Sequence, residues 1–433
     1  MATAAEVRMW GRTIGAVTLD DGADFARFEY TPEFADSGIE PAPLVMPLSR
    51  HVYSFPELSR QSFHGLPGLL ADSLPDRFGN ALINAWLASQ GRSPESFNAV
   101  ERLCYVGRRG MGALEYRPVL GPRAAVARSV DVAQLVELAS RILSQRRNLT
   151  VSFDRDDRDH SLSELLRVGT SAGGARAKAV IAWNPATNEV RSGQVEAGEG
   201  FEYWLMKFDG VRGNRDKELE DPQGYGAIEY ACYLMARDCG IDMMECRLME
   251  EHGRRHFMTR RFDRVEGGRK LHRQSLAALA HFDFNLAGAY SYEQALMTIR
   301  RLGLPMESVE EQFRRMAFNV LVRNQDDHVK NIEFLMNPSG EWSLSPAFDM
   351  TYSYNPEGDW TSRHQMTLNG KRDDFGLEDF EACARTASMK RGRARTIVAE
   401  VQEVVANWDH YALQADIPEH TRRRVRNGLR QIG

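Results

Sequence analysis

The hydrophobic period of this chain changes along its length, and this change limits the possible folds more than any other feature of the sequence. Apolar and polar residues alternate in VRMWGRTIGAVTLDDGADFARFEY, and the Asp21-Gly22 pair between two such runs is typical of a hairpin turn. From about residue 285 the apolar residues recur at helical spacing, as in MESVEEQFRRMAFNVLVR. The sequence therefore predicts an α+β protein with early strands and late helices.

The same pattern divides the chain into three predicted regions. The first, residues 1–125, is β-rich, although a helical period begins at Asp76, and the linker GPRAAVARS follows it. In the second, residues 126–284, an amphipathic helix precedes short strand candidates, which one further helix, GAIEYACYLMARDCG, interrupts. The third, residues 285–433, is predicted to be helical. No repeat of solenoid length is evident.

Composition excludes several classes of protein. The chain has 433 residues, of which 42% are hydrophobic, so it can bury a large core. Its net charge of −5 provides no global field that would recruit nucleic acid, and direct DNA binding is not expected. The five cysteines form no CxxC pair, which favours reduced, buried thiols. No segment reads as a signal peptide or a membrane span, so we expect a soluble, cytoplasmic protein that does not bind a membrane.

The stretch RNQDDHVKNIEF, residues 323–334, follows a predicted helix and precedes a predicted strand. Phosphoryl transfer needs an acid near the acceptor hydroxyl and oxygen ligands for Mg²⁺; protein kinases supply an Asp, an Asn five positions later, and a further Asp beyond a hairpin. Asp326 and Asn331 have this spacing, and Asp349 follows at the end of WSLSPAFDM, without the glycine that kinases place after it. We therefore predict Asp326 as the catalytic base and Asn331 and Asp349 as metal ligands.

For any one acid in this loop, a capped and solvated turn is the simpler interpretation. We assign Asp327 to that role, because the five-residue spacing selects Asp326. His328 could orient a phosphate or the catalytic aspartate, or serve as an ordinary hydrogen-bonded histidine. Lys330 could neutralise phosphate, although an exposed loop lysine is the commoner case.

A second candidate motif, VGTSAGGARAKAVIAW, occupies residues 168–183. Glycines at this density let the backbone approach phosphate oxygens and direct N–H groups at them. The motif is not a Walker A loop, because Lys178 is followed by residues that favour a strand instead of a helix. A glycine loop that leads into a strand is the arrangement of kinases, although on its own it more often marks a tight turn.

The third candidate element is FEYWLMKFDG, residues 201–210, in which Lys207 ends a row of alternating apolar residues. An ammonium group there needs a nearby anion such as a nucleotide phosphate, or it must extend along the strand end to solvent. The two interpretations have equal weight. Glu229, early in the next helix, could pair with Lys207 as the corresponding kinase glutamate does, but an exposed first-turn glutamate is the simpler expectation.

These motifs together, with LPGLLADSLPDRFGN near the N-terminus, resemble the HipA family of serine/threonine kinase toxins from bacterial toxin–antitoxin systems. The resemblance covers nearly the whole chain. It implies a protein-kinase-like two-lobe fold with a β-rich N-terminal region, a nucleotide-binding lobe and an all-helical C-terminal lobe. It also implies ATP and Mg²⁺ as cofactors, and a HipB-like helix-turn-helix antitoxin through which the protein meets operator DNA only indirectly.

Site residues follow from the resemblance by position. Asp326 resembles the catalytic base, Asn331 and Asp349 resemble the Mg²⁺ ligands, and Ser171 resembles the serine whose autophosphorylation ejects the loop and inactivates the kinase. ATP-binding positions are implied at Lys207, Gly173, Gly174, Ala175, Phe262 and His328, where Phe262 resembles a hinge residue that meets adenine through its backbone.

The chain departs from the best-known members of the family in several places. Arg260 stands where they have a glutamate, and RQSLAALA lacks their acidic, glutamine-rich pattern, which affects the adenine contacts and substrate choice. Thr170 lies beside Ser171, so either hydroxyl could accept phosphate. Family members that phosphorylate aminoacyl-tRNA synthetases stop tRNA charging and growth, and we expect such a synthetase as the target.

Two alternatives to an active kinase remain. The first is a catalytically silent corepressor that holds a DNA-binding antitoxin, which the size of the N-terminal region favours and the intact set of Lys207, Asp326, Asn331 and Asp349 disfavours. The second is a metal-dependent hydrolase that uses the cluster of Asp326, Asp327 and His328, for which no second histidine or carboxylate cluster at a recognisable ligand spacing is present.

Overall fold

The structure is a computed structural model of the chain. It describes residues 3–121, 130–144, 176–194, 196–211, 215–216, 219–220, 224–265 and 268–433. The boundary predicted near residue 125 lies outside this part of the chain, so the division at 125 and at 284 stays a prediction.

The N-terminal region contains a four-stranded antiparallel sheet with the order β3-β2-β1-β4. Its strands are β1 Thr3–Met9, β2 Arg12–Leu19, β3 Arg27–Tyr30 and β4 Leu114–Arg117. The hairpin predicted around Asp21-Gly22 is confirmed, because β2 and β3 pair on either side of it. A second hairpin turns at Trp10-Gly11, where both residues have positive φ (48° and 79°), as a two-residue primed turn requires.

Helices cover this sheet and continue the N-terminal region. They are α1 Pro32–Ala35, α2 Arg60–Phe63, α3 Gly68–Ala71, α4 Arg77–Ser89 and α5 Ala99–Val106. The helix predicted from Asp76 onward is confirmed as α4, and Asp76 caps it by accepting a hydrogen bond from the Gly79 N–H at 2.6 Å. An aspartate at this position satisfies a backbone donor that has no partner within the helix.

The middle of the chain forms an antiparallel five-stranded sheet with the order β10-β11-β7-β5-β6. The elements here are α6 Val132–Ser144, β5 Lys178–Asn184, β6 Glu189–Ser192, β7 Glu202–Lys207, β8 Arg215–Asp216, β9 Leu219–Glu220, α7 Tyr225–Asp238, β10 Cys246–Glu251 and β11 Arg254–Arg260. One apolar core joins Phe78 and Leu82 of α4 to Leu135 of α6 and to Ile181 and Met206 of the sheet. The N-terminal region is thereby packed directly onto this sheet.

The last part of the chain is mostly helical. Its elements are β12 His272–Ser275, α8 Leu276–Ala280, α9 Tyr292–Arg301, α10 Met306–Val322, β13 Glu333–Met336, β14 Trp342–Leu344, α11 Leu377–Thr386, α12 Arg393–Ala406, α13 Trp408–Gln414 and α14 Glu419–Gly428. Strands β12, β13 and β14 form a small antiparallel sheet. Because β13 and β14 lie within residues 285–433, the prediction of an all-helical lobe there is wrong. The hairpin of β13 and β14 was itself indicated by IEFLM and WSLSPAFDM.

Helix α10 is the centre of the largest core. Val309, Phe313, Met316, Val320 and Leu321 of this helix are fully buried, because its apolar residues recur every three or four positions along one face. The loop that carries Asp326 therefore emerges from a helix whose apolar face is fully buried.

Two negative expectations can be compared with the described residues. All five cysteines are buried and unpaired, as predicted. Within the described ranges, no helix combines the length and the apolar character that a membrane crossing would need.

Candidate active site

Lys207 ends strand β7 and connects the two lobes by ion pairs. Its Nζ atom lies 2.5 Å from Glu229 Oε1 and 2.5 Å from Asp349 Oδ1. Burial opposes the charge of this lysine, but Asp349 and then Glu229 more than offset that cost and raise the pKa of Lys207. The interpretation in which Lys207 extends to solvent is wrong, because the side chain is 11% exposed.

Glu229 lies on the inner face of helix α7 and is 2% exposed. The expectation of an exposed first-turn glutamate is therefore wrong. Position 229 is one turn into the helix, on the face that packs against strands β10 and β11, so the carboxylate meets Lys207 instead of water. Arg176 adds a second cation at 3.8 Å from Glu229 Oε2 and stacks over the ring of Tyr225.

Asp349 follows the hairpin of β13 and β14 and faces the five-stranded sheet. Its backbone has a φ of 53°, which is uncommon for a residue with a side chain, and its carbonyl accepts a hydrogen bond from Asn324 Nδ2 at 2.9 Å. Burial alone would raise the pKa of Asp349, but Lys207 and Lys178 lower it. The carboxylate is thus held as an anion beside Lys207, and its side chain remains 30% exposed.

Asp326 lies in the loop that follows α10. The side chain is 30% exposed, and its Oδ1 atom accepts a hydrogen bond from Trp360 Nε1 at 2.6 Å. Asn331 Nδ2 donates to the Asp326 carbonyl at 2.9 Å. This hydrogen bond uses the amide nitrogen of Asn331 and not its amide oxygen. The five-residue spacing therefore brings Asp326 and Asn331 into contact, as a short helical turn over Val329–Asn331 closes the loop.

Asp327 does not solvate a turn, so this part of the sequence interpretation is wrong. Its carboxylate is 1% exposed, with Oδ1 accepting from the Gln365 N–H and Oδ2 accepting from Tyr292 Oη and His364 Nδ1, all at 2.6 to 2.7 Å. Burial would raise the pKa of Asp327, but His364 and the three hydrogen bonds lower it. The hydrolase alternative loses its central acid, because these bonds occupy Asp327.

His328 and Lys330 lie on the side of the loop that faces Phe284. His328 Nε2 is 3.8 Å from Asp326 Oδ1, which is compatible with both roles considered for it. Lys330 is half-buried with its Nζ atom 4.3 Å from the centre of the Phe284 ring, so the exposed lysine expected here is not observed. Burial lowers the pKa of Lys330.

Phe262 follows β11 in the connection between the two lobes. Its ring centroid lies 5.7 Å from that of Phe348, the neighbour of Asp349. This places Phe262 at the edge of the cleft, while its predicted backbone contact with adenine stays a prediction.

The glycine loop lies outside the described residues, and with it the predicted roles of Thr170, Ser171, Gly173, Gly174 and Ala175. The described chain resumes at Arg176 and enters β5 two residues later.

Several polar residues of the site have no signal in the sequence. Trp360 lies in a turn-rich segment far from the loop it contacts, and Arg176 was read only as part of the glycine motif. Lys178 was considered only in order to reject a Walker A loop, but it ion-pairs with Asp76 at 3.3 Å. Helix capping could have identified Asp76, although not its partner.

The donor set fits a magnesium ion bound together with nucleotide phosphates. Among the residues that the structure describes, no three His, Cys, Asp or Glu side chains form a metal-binding group. Mg²⁺ at phosphoryl-transfer sites needs only one or two protein ligands, because phosphates and water complete the shell. The oxygens of Asp349 and Asn331 are ligands of the type that Mg²⁺ prefers.

Two protein-family models match this chain. The HipA-like C-terminal domain matches residues 170–408, and the HipA N-terminal domain matches residues 5–117. No curated protein matches. The two matched ranges contain every site residue predicted above.

Among solved structures, the chain is similar to one in the Shewanella oneidensis MR-1 toxin–antitoxin complex of HipA, HipB and operator DNA. The TM-score is 0.67 at 16% identity, and the match covers 98% of this chain and 96% of that one. The Helicobacter pylori proinflammatory kinase CtkA matches with a TM-score of 0.34 at 11% identity, over 57% of this chain and 94% of that one.

The likeness to the Shewanella structure extends over both lobes and the N-terminal region, which confirms the predicted α+β, kinase-like two-lobe fold of HipA type. The C-terminal family model alone spans more than half of the sequence. The chain belongs to the HipA family.

Proposed function

We propose that this protein is a serine/threonine-protein kinase, the toxin of a HipBA-type toxin–antitoxin module, which transfers the γ-phosphate of ATP to a protein. The observation that carries the proposal is the pairing of Lys207 with both Glu229 and Asp349. Active protein kinases require the pairing of a strand lysine with a helix glutamate and a metal-binding aspartate in place. The chain contains both features in one connected cluster.

Asp326 has the position of the base. It lies in a loop anchored by a buried helix, and it is exposed enough to meet a substrate hydroxyl. Trp360 donates to Oδ1 and so orients the carboxylate, which we assign to accept the proton of that hydroxyl. The hydroxyl oxygen then forms its bond to the γ-phosphorus while the bond to the leaving ADP oxygen breaks.

We assign the metal to Asn331 and Asp349. When bound, Mg²⁺ would neutralise the charge that develops on the transferred phosphoryl group. Asp349 is suited to this role because Lys207 and Lys178 keep it ionised, and Asn331 because its amide is oriented by the Asp326 carbonyl. Lys207 would contribute its own positive charge to the phosphates.

Self-inhibition would act through the glycine-rich loop, with Ser171 or Thr170 as the acceptor. A phosphoserine there brings about two negative charges to the place where the nucleotide's own phosphates bind. The loop itself lies outside the described residues, so the support for this proposal is membership of the family.

For partners, we propose a HipB-like antitoxin that contacts operator DNA, and an aminoacyl-tRNA synthetase as the protein substrate. The similar Shewanella HipA was solved with HipB and its operator. A net charge of −5 on this chain is consistent with contact to DNA through a partner. The proposed location is the cytoplasm.

The test is intact-mass analysis with phosphosite mapping after incubation with Mg-ATP. We expect phosphate on Ser171 or Thr170 in the wild type and none in Asp326→Ala. Asp359→Asn, which changes an exposed carboxylate next to Trp360, is the matched control and should behave as the wild type. Equal phosphate in Asp326→Ala would contradict the proposal.

A corepressor without catalysis is the second candidate. The specific observation in its favour is the separate apolar core of the N-terminal sheet, which includes Val7, Phe28 and Tyr116 and supports a substantial surface. Absence of nucleotide binding by the unphosphorylated protein in calorimetry, together with antitoxin-dependent operator repression, would favour this candidate over the kinase.

A further inference from the structure

The N-terminal segment 72–76, within the motif LPGLLADSLPDRFGN, lies between the two lobes and bonds to both. Asp72 accepts hydrogen bonds from the Ser275 N–H at 2.7 Å and from Ser275 Oγ at 2.8 Å, at the start of α8 in the helical lobe. Four residues later, Asp76 ion-pairs with Lys178 of β5 at 3.3 Å. The N-terminal region therefore has one acid on each side of the cleft.

Close packing fixes this segment. A Cβ atom on Gly68, at the start of α3, would lie 2.4 Å from the Ala278 carbonyl, so only glycine lets α3 approach α8 this closely. The Gly68 N–H also donates to His281 Nε2 at 3.1 Å. Helix α4 follows, and its apolar residues belong to the same core as the five-stranded sheet.

Lys178 lies beside the proposed phosphate site. In the antiparallel pair of β5 and β7 it is directly opposite Lys207, so both side chains extend from the same face of the sheet. Its charge also acts on Asp349, whose pKa it helps to lower. Lys178 is consequently part of the electrostatic surroundings of the cleft.

Asp76 is held independently of Lys178. Its Oδ1 atom caps α4 through Gly79, which orients the carboxylate so that Oδ2 meets the lysine. Both side chains are almost fully buried, with exposures of 6% for Asp76 and 3% for Lys178. Burial raises the pKa of Asp76 to about 6, although Lys178 acts in the opposite direction. A buried pair of this kind is a poor source of stability, because desolvation can exceed the attraction.

We propose that Asp76 is a positioning residue for nucleotide binding, which holds Lys178 beside Lys207 on one face of the five-stranded sheet. The affinity for a nucleoside triphosphate then depends on the N-terminal region. The inference rests on the proposed kinase function and adds to it. Loss of the carboxylate would remove a buried counter-charge 3.3 Å from the Lys178 ammonium, which favours displacement of that side chain. The positive charge facing the phosphates would then be misplaced.

The first experiment compares Asp76→Asn with Asp131→Asn in the full-length protein. Asparagine keeps the shape and the helix cap at position 76 but removes the charge that pairs with Lys178. Asp131 precedes α6, and its Oδ1 atom accepts from the Ala133 N–H at 2.9 Å and from the Gln134 N–H at 3.3 Å, but this aspartate is exposed. We expect the Kd of a non-hydrolysable ATP analogue with Mg²⁺, measured by calorimetry, to rise about tenfold in Asp76→Asn and to stay unchanged in Asp131→Asn.

A double-mutant cycle separates positioning from general stability. If Asp76 acts through Lys178, Asp76→Asn should not weaken binding further when Lys178 is already methionine. The binding stoichiometry, measured well below the unfolding temperature, reports the folded fraction of each variant. Independent, additive losses in the double variant would overturn the proposal.

The remaining outcomes are also decisive. If the wild type binds the analogue and Asp76→Asn binds it equally well, the role of Asp76 is wrong and the kinase function stands. If the wild type, shown by intact mass to be unphosphorylated, does not bind the analogue, the kinase function itself fails, and the inference fails with it.

Discussion

Asp326 and Asp327 are adjacent in the chain but belong to two different regions of the molecule. Asp326 lies in the cleft, 30% exposed, where Trp360 Nε1 donates to its carboxylate. Asp327 lies beneath the loop, 1% exposed, where Tyr292, His364 and the Gln365 backbone all donate to it. In the cleft, Asp326 stays accessible to a substrate hydroxyl. Beneath the loop, the hydrogen bonds of Asp327 hold the loop in place.

The sharpest test of this contrast is Asp326→Asn. The substitution preserves size but cannot accept the hydroxyl proton, so we expect kcat to fall by about a thousandfold. The temperature of unfolding should stay near that of the wild type, because the side chain is partly exposed. Phosphate transfer to a protein substrate and a thermal scan measure the two quantities. Substantial remaining activity would remove Asp326 from the role of base.

Asp327→Asn should have the opposite profile, with stability as the main loss. An amide nitrogen would face groups that now donate to a carboxylate, so we expect the free energy of unfolding to fall by about 3 kcal/mol. Urea denaturation, compared with exposed Asp359→Asn, measures it. A variant as stable as the wild type would show that the cluster does not anchor the loop.

The same variant gives a prediction for acid stability. Since the pKa of Asp327 is lowered in the folded protein, its stabilisation is present above the unfolded value and is lost as the pH falls through the folded pKa. Removal of the carboxylate should therefore make stability less dependent on pH on the acid side. Urea midpoints of the wild type and the variant, measured from neutral to acid pH, test this. The same dependence of the midpoint on pH in both proteins would contradict the prediction.

Glu229→Gln tests whether the cleft works as a connected cluster. Lys207 would keep Asp349 as a partner but lose the carboxylate on α7 that fixes its position. We expect kcat/KM to fall roughly thirtyfold, which corresponds to a loss of about 2 kcal/mol of transition-state stabilisation. Glu250→Gln changes an exposed carboxylate on β10 and is the control. Equal activity in the two variants would mean that the Lys207–Glu229 pair has no part in transfer.

The smallest effect is expected from Trp360→Phe, which removes the indole N–H but keeps an aromatic ring. One hydrogen bond to a carboxylate would be lost, so we expect the activation free energy to rise by about 1.5 kcal/mol and kcat to fall roughly tenfold. Trp183→Phe removes an exposed indole bond to Asn188 and should leave kcat unchanged. A normal kcat in Trp360→Phe would show that Asp326 keeps its orientation without this donor.

Sequence patterns predicted much of the fold because the patterns are local. The hairpin at Asp21-Gly22, the helix from Asp76 and the late helices follow from turn residues and hydrophobic period alone. The prediction of an all-helical lobe over residues 285–433 was wrong, because strands β13 and β14 lie within it. Strand β13 also pairs with β12, about sixty positions earlier, which no local pattern indicates. The contact between Asp326 and Asn331 also follows from their spacing, because the five-residue separation is closed by one tight loop.

Errors occurred where the environment of a side chain depends on distant residues. Glu229 and Asp327 were both assigned to solvent, and both are buried by elements far away in the chain. A carboxylate carries no local sign of whether a lysine, a histidine or water will face it. The same limit applies to Lys178, whose partner Asp76 is about a hundred residues earlier.

The sequence by itself determined the order of strands and helices, the loop between α10 and β13, and the set of polar residues available for chemistry. Local backbone preference and hydrophobic spacing suffice for these, because both act over a few residues. Only the tertiary structure decided which acids are buried and which cation each one meets. Burial and pairing depend on contacts between distant segments, and here those contacts place Lys207 between Glu229 and Asp349 and place Asp76 against Lys178.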